Sequence, residues 1–204
     1  MGHHGRWVDT VDAEVEARRR AVVDLPWSWI RQVHGADVVV VDGPGAGAGQ
    51  AADASVSAVA GAALAVLTAD CAPVALASPE GVFGTVHAGW KGLRAGVVEA
   101  AVAAMSRLGA GEVQAVLGPC IHAECCAFSP GDLESVVARL GPTVRGRTAE
   151  GAPALDVPAA VAAALVRAGA RLVGCSPECT VCSGRYFSHR AHKDLGRQAL
   201  VVWR

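Results

Sequence analysis

The sequence predicts a mixed α+β protein, a layered sandwich built around a mixed β-sheet. Strand-like and helix-like segments share the 204-residue chain without the strict strand–helix alternation of parallel α/β folds. Hydrophobic residues make up 52% of the chain and charged residues 18%, a balance typical of a globular protein and not of a disordered one. The length suits one sizeable core, so we expect a single domain over residues 1–204.

Each element has its own signal along the chain. Residues 11–24 have the charge density and apolar spacing of a surface helix, and β-rich stretches follow on both sides of a turn at His34. The remaining expectations are a glycine-rich loop over 43–50, a buried strand over 64–70, a helix over 92–109 that ends at Gly109, a strand over 112–118, helices over 130–141 and 156–170, the latter N-capped by Asp156, and a last strand over 199–203.

Residues 68–92, TADCAPVALASPEGVFGTVHAGWKG, predict a β-hairpin. Pro79 suits the first central position of a turn, and Gly81 can adopt the left-handed conformation. A three-residue loop with a bulge at Gly81 is a common hairpin connection and would pair Ser78 with Val82. A two-residue loop would shift the register and send alternate side chains to the other face.

The three-residue loop places Pro73 opposite His87 and Cys71 opposite Gly89. Cys71 and His87 then share one face as diagonal neighbours, about 7–8 Å apart at the backbone. Both side chains can then reach one metal ion, because zinc bonds to sulfur and nitrogen are about 2.3 and 2.0 Å long. In a second interpretation, Cys71 is a nucleophile and His87 its base, with Asp70 or a backbone carbonyl orienting the ring. In a third, both residues are ordinary core side chains.

The segment HAGWKGLRAG predicts an anion site beside His87. A helix that begins near Gly92 would present free backbone N–H groups and the positive end of its dipole. Lys91 and Arg94 add positive charge at that end, which is unfavourable unless an anion such as substrate phosphate is bound. The alternative is a pair of solvated side chains or a salt bridge, for example to Asp70.

Composition excludes several partners. Eighteen Lys and Arg nearly balance nineteen Asp and Glu, so neither nucleic acid nor an acidic membrane is an expected partner. No apolar run reaches transmembrane length, and the N-terminus lacks the apolar region of a secretory signal.

The seven cysteines therefore indicate reduced thiols in the cytoplasm. Six of them, apart from Cys71, would form either a second metal site or buried thiols: Cys120, Cys125, Cys126, Cys175, Cys179 and Cys182.

Five motifs together resemble one protein family: RQVHGADVVVVD, TADC, HAGWKG, GPCI and CTVCSGRYFSHR, spread from about residue 28 to the C-terminus. The family was catalogued as multicopper polyphenol oxidase, or laccase-like, and is now regarded as a zinc-dependent purine nucleoside enzyme family. The resemblance implies that His34, Cys71 and His87 hold one zinc ion with an open fourth position. It also implies a fold similar to that of the cytotoxic-necrotizing-factor-like cysteine hydrolases, in which a Cys–His pair works without metal.

The resemblance implies phosphorolysis of adenosine, inosine and methylthioadenosine, and deamination of adenosine. Phosphate would then need cations, for which Lys91, Arg94, Arg185 and Arg190 are the candidates. Alternatives are a peptidoglycan-editing amidase that removes misincorporated serine, a metal-free Cys–His hydrolase, and a non-catalytic protein stapled by zinc. Copper is less well supported, because multicopper sites need many histidines and this chain has seven, none in a His-x-His pair.

Three departures from the family pattern are visible. Members usually begin with a segment like FTTRxGGVSxGxYxSLNLG that helps to close the site; we expect it to be missing here, and the chain contains no asparagine. His122 stands where the family usually has glycine. The segment YFSHRAHKDLGR also changes the interior of the usual FFSYRRDGxTGR. The motifs thus predict the metal ligands more directly than the substrate.

Overall fold

The computed structural model describes residues 13–204. In chain order the helices and strands are α1 (Ala13–Val22), β1 (Trp27–Trp29), β2 (Val38–Val40), β3 (Ala54–Ser57), β4 (Ala63–Thr68), β5 (Ala72–Ala77), β6 (Phe83–Ala88), α2 (Trp90–Ala95), α3 (Val97–Arg107), β7 (Gln114–Leu117), α4 (Pro130–Leu140), β8 (Arg145–Arg147), β9 (Pro153–Leu155), α5 (Val157–Ala168), β10 (Arg171–Cys175), α6 (His189–His192) and β11 (Gln198–Trp203).

The central sheet has six strands in the order β10-β7-β5-β6-β3-β2. Its two outer pairs are parallel, and its inner pairs are antiparallel. A second sheet has the order β1-β4-β11, and β8 and β9 form a small ribbon. The sheet is therefore mixed, as the sequence predicts.

Two apolar cores lie on opposite faces of the central sheet. Helices α3 and α5 pack on one face, where Val74 and Val86 belong to the larger core. The three-stranded sheet packs on the other face, where Phe83 joins Leu64 and Val66 in the smaller core. Phe83 and Val86 lie on opposite faces of β6, because side chains alternate along a strand. This layering confirms the predicted α+β sandwich, while the assignment of residues 1–204 to one domain stays a prediction.

The hairpin has the predicted register. Pro73 lies opposite His87, and Ala77 lies opposite Phe83. At the turn, Gly81 has a φ of 84°, and its N–H donates to the carbonyl of Ser78 over 3.0 Å. The three-residue loop therefore sets which side chains of β5 and β6 share a face.

The predicted helix over 92–109 is wrong as a single element. It consists of α2 and α3, which are separated by Gly96 at a φ of 92°. The first of these begins at Trp90 and not near Gly92, because Gly89 is its N-cap. The strands β3, β8, β9 and β10 were not predicted.

The surface helix expected over 11–24 is α1, observed over Ala13–Val22. Positions 11 and 12 of that prediction lie outside the described residues. Within residues 13–204, no helix has both the length and the apolar character needed to span a membrane.

Candidate metal centre

Three residues from separate parts of the chain converge at one end of the central sheet. His34 lies in the loop between β1 and β2, Cys71 directly precedes β5, and His87 is the second-to-last residue of β6. Their potential ligand atoms all lie within 4.8 Å of one another. His34 Nε2 is 3.9 Å from Cys71 Sγ, and the two imidazole rings meet edge to face with centroids 4.8 Å apart.

A buried carboxylate that the sequence analysis missed holds two of these residues. Asp53 Oδ1 lies 2.7 Å from His87 Nδ1 and accepts the backbone N–H of His34 over 2.9 Å. Asp53 Oδ2 accepts the N–H groups of Gly35 over 2.6 Å and Val33 over 3.2 Å. Asp53 therefore fixes both the His87 ring and the backbone of the His34 loop.

The backbone around the cluster is held in uncommon conformations. His34 and Asp70 have φ values of 60° and 93°, which non-glycine residues rarely adopt outside sites where surrounding contacts enforce them. Gly89 has no space for a side chain, because a Cβ there would lie 2.9 Å from His34 Cδ2 and 3.2 Å from Cys71 Sγ. The side chains of the cluster therefore pack directly against the backbone that begins α2.

The electrostatics of the cluster favour a thiolate. Burial alone would raise the pKa of Cys71, but hydrogen bonds and charge from His34 and His87 outweigh it and lower that pKa to about 6. Burial would lower the pKa of His87, but Asp53 and Cys71 raise it to about 9. For Asp53 the raising effect of burial is outweighed by hydrogen bonds from His87 and Gly35, so its pKa is lowered. Without metal, these shifts favour a Cys71 thiolate beside a protonated His87.

The donor set fits a metal ion. A thiolate and two imidazoles are ligands that divalent transition metals accept, and three protein ligands leave a fourth position open. Because His87 Nδ1 faces Asp53, its Nε2 is the atom left to bind metal. A carboxylate behind a ligating histidine fixes the tautomer and raises the basicity of the ligand.

Asp70 lies next to Cys71 in sequence but does not orient His87. Its carboxylate accepts the Thr180 hydroxyl over 2.8 Å and the backbone N–H of Arg190 over 2.6 Å. The hydrogen bond that we expected from Asp70 or a backbone carbonyl comes from Asp53 instead, because Asp70 is turned toward the segment that carries Thr180 and Arg190.

The four predicted phosphate-binding cations divide into two pairs. Lys91 and Arg94 are exposed on α2, which follows the cluster directly in sequence. Lys91 Nζ and Arg94 Cζ lie 5.6 and 5.3 Å from the centre of the Trp90 ring. Arg185 is exposed and ion-paired with Glu178. The Arg190 guanidinium donates to the carbonyl of Ala127 over 2.9 Å. Arg94 also donates, to the Ser135 hydroxyl over 3.3 Å, so three of the four cations already have polar partners within the protein.

Comparison with known proteins places this geometry in a family. Residues 4–204 match the family described as multi-copper polyphenol oxidoreductase laccase. The chain belongs to that family, as its motifs predict.

Curated relatives carry another name. A Streptomyces coelicolor protein named as a purine nucleoside phosphorylase is 45% identical over 95% of this chain and 81% of its own length. A Streptomyces griseus protein with the same name is 48% identical over 86% of this chain and 73% of its own length. The crystal structure of a Neisseria meningitidis protein, 29% identical, superposes with a TM-score of 0.83 over 98% of this chain and 84% of that one. The fold and the enzyme family are thereby shown.

Proposed function

We propose that this protein is a zinc-dependent purine nucleoside enzyme that phosphorolyses adenosine, inosine and methylthioadenosine and deaminates adenosine. The observation that carries the proposal is the cluster of His34, Cys71 and His87, with Asp53 hydrogen-bonded behind His87. The names of the curated relatives support the substrate class. The substrates are small molecules, and the proposed place of action is the cytoplasm.

Each group of residues at the site has a separate proposed role. His34, Cys71 and His87 would hold the zinc ion and leave one position open, where it would supply Lewis-acid activation of water or a substrate oxygen. Asp53 keeps the proton of His87 on Nδ1 and holds the His34 loop in place. For phosphorolysis the nucleophile is phosphate, which needs cations to bind and orient it. Lys91 and Arg94 are the first candidates, because they lie on α2, which begins directly after Gly89.

The direct test is an incubation of the zinc-loaded protein with adenosine, with and without phosphate. Adenine that forms only with phosphate would show phosphorolysis, and inosine that forms without it would show deamination; both are separated from hypoxanthine by chromatography. Cys71→Ser, which removes one ligand, is the inactive control. If no purine product appears but serine is released from a muramyl-serine precursor, the enzyme is a peptidoglycan-editing amidase instead.

A second candidate function has a specific observation in its favour. The pKa values of about 6 for Cys71 and about 9 for His87 favour a thiolate nucleophile beside a protonated histidine, as in a metal-free Cys–His hydrolase. The two functions separate on metal removal. Activity that survives complete chelation and disappears after thiol alkylation would support the hydrolase and contradict the zinc enzyme.

The phosphate site has its own test. Lys91→Ala and Arg94→Ala are compared with wild type across a phosphate titration. We expect a raised half-saturating phosphate concentration with unchanged zinc content, because these side chains are exposed and do not ligate metal. Arg185→Ala, whose side chain is paired with Glu178, is the matched control. An unchanged phosphate response in both α2 variants would remove these two residues from the proposal.

A further inference from the structure

Three thiols outside the first centre form a second cluster. The Sγ atoms of Cys125, Cys179 and Cys182 all lie within 4.8 Å of one another, and those of Cys125 and Cys182 are 3.2 Å apart. All three are free cysteines. In a tetrahedral zinc site with Zn–S bonds of about 2.3 Å, sulfur atoms lie about 3.8 Å apart, so small side-chain adjustments suffice to seat an ion.

The backbone at Cys179 is arranged to hold a sulfur anion. Cys179 and Cys182 are the ends of a C-x2-C turn, which brings the backbone N–H groups of Val181 and Cys182 near Cys179 Sγ. The N–H of His122 donates to the same sulfur over 3.4 Å. Donation of N–H groups to a ligand sulfur is the kind of outer contact that supports bound metals.

We propose that Cys125, Cys179 and Cys182 bind a second zinc ion, separate from the one held by His34, Cys71 and His87. Thiolates are soft ligands that select zinc over magnesium or calcium. The fourth position falls to water or to Glu124, whose Oε1 lies 3.9 Å from Cys182 Sγ. The proposal does not depend on the purine nucleoside activity.

The second ion would act as a staple between two distant segments. Cys125 and Cys182 are 57 positions apart in sequence, and the segments already meet where the N–H of Thr180 donates to the carbonyl of Cys120 over 3.0 Å. Thr180 also holds the carboxylate of Asp70, the residue before Cys71. The staple therefore stabilises the segment that anchors the backbone next to the first centre.

The test counts metal ions in the full-length protein, purified under reducing conditions and loaded with Zn²⁺ alone. We expect two zinc ions per chain in wild type and one in Cys71→Ser. Adding Cys125→Ser or Cys182→Ser to the Cys71→Ser background should remove the remaining ion. Cys175→Ser is the matched control, because Cys175 is exposed and lies outside the cluster, and it should leave both ions bound.

Co²⁺ provides a second measurement. Thiolate-to-cobalt charge transfer grows with the number of sulfur ligands, so Cys71→Ser should retain most of the near-ultraviolet absorption and the Cys182→Ser variant should lose most of it. Circular dichroism of each variant verifies that the fold persists. A single ion per chain that is lost in Cys71→Ser would overturn the proposal. So would a Cys125–Cys182 disulfide detected by mass spectrometry in the reduced preparation.

Discussion

At the residue scale, Asp53 connects the ligands and could not be identified from the sequence. It lies 19 positions from His34 and 34 from His87, and only the pairing of β3 with β6 brings it to the site. The available signal was an aspartate within the apolar run AADASVS. Aspartate is almost never fully buried without partners, so that position predicts a paired carboxylate but not the identity of the partner.

Asp53→Asn should weaken metal binding and destabilise the fold. Both oxygens of Asp53 accept hydrogen bonds, Oδ2 from Val33 and Gly35 and Oδ1 from His34 and His87. Asparagine keeps only one of these oxygens, so its NH2 group must face N–H donors in either orientation. We expect a 10- to 100-fold lower zinc affinity and a loss of about 2–3 kcal/mol in the free energy of unfolding. Competition with a chelator and urea denaturation measure the two effects. Asp42→Asn, at an exposed position, should change neither; equal effects in both variants would contradict the role of Asp53.

Zinc affinity of the first centre should rise with pH. The metal-free protein holds a proton on His87 below about pH 9, and zinc must displace it. Affinity should therefore increase about tenfold per pH unit between pH 7 and 9 and level off above that range. Below about pH 6 Cys71 is also protonated. Zinc must then displace two protons, so its affinity should depend more steeply on pH there. Chelator competition in a Cys182→Ser background isolates this centre, and a flat profile from pH 7 to 9 would contradict the raised pKa of His87.

At the element scale, the sequence predicts strongly patterned segments well and short polar strands poorly. The hairpin register follows from Pro79 and Gly81, which select the turn. Strand β3 escaped prediction because serines interrupt its apolar pattern, although all four of its residues are buried. Hydrogen bonds to neighbouring strands satisfy the buried hydroxyl groups. Ser55 Oγ, for example, lies 3.0 Å from Thr85 Oγ1.

The division of one predicted helix into α2 and α3 has a local cause. Gly96 adopts a left-handed conformation that ends α2, and its N–H donates to the carbonyls of Gly92 and Leu93. At Gly92 a Cβ would lie 2.8 Å from the carbonyl oxygen of Gly35. The absence of a side chain there lets α2 approach the His34 loop, a tertiary contact that the helical pattern alone does not reveal.

The N-cap of α5 is a prediction at this scale. Asp156 accepts the N–H of Ala159 over 2.9 Å, as its position before the helix predicts. Asp156→Ala should lower the free energy of unfolding by about 1 kcal/mol, because that N–H loses its partner. Asp156→Asn retains a capping oxygen and should be nearly neutral. Chemical denaturation compares the two, and equal losses in both variants would show that the charge of Asp156, and not its hydrogen bond, stabilises α5.

At the scale of the whole molecule, the apolar layers around the central sheet and the metal centre are separate parts of the structure. The two cores are built of apolar side chains, and the metal centre lies at one end of the central sheet, where His87 is buried. Motif resemblance predicts these three ligands although they come from distant segments, because it carries information about spatial proximity that periodicity lacks. The outer contacts from Asp53 and the partners of Asp70 depend on sheet order, which no local pattern specifies.

Cys71→Ser should therefore remove the zinc of the first centre and leave the fold intact. Zinc at about 1,000 times its dissociation constant stabilises the native state by about 4 kcal/mol, and each 1 kcal/mol shifts Tm by roughly 2–4 °C in a domain of this size. In excess zinc the variant should melt about 8–16 °C below wild type, with an unchanged far-ultraviolet spectrum at 25 °C and one zinc fewer per chain. Cys175→Ser should match wild type. A Cys71→Ser protein that is unfolded at 25 °C would instead assign the first zinc to folding, as in the non-catalytic, zinc-stapled alternative.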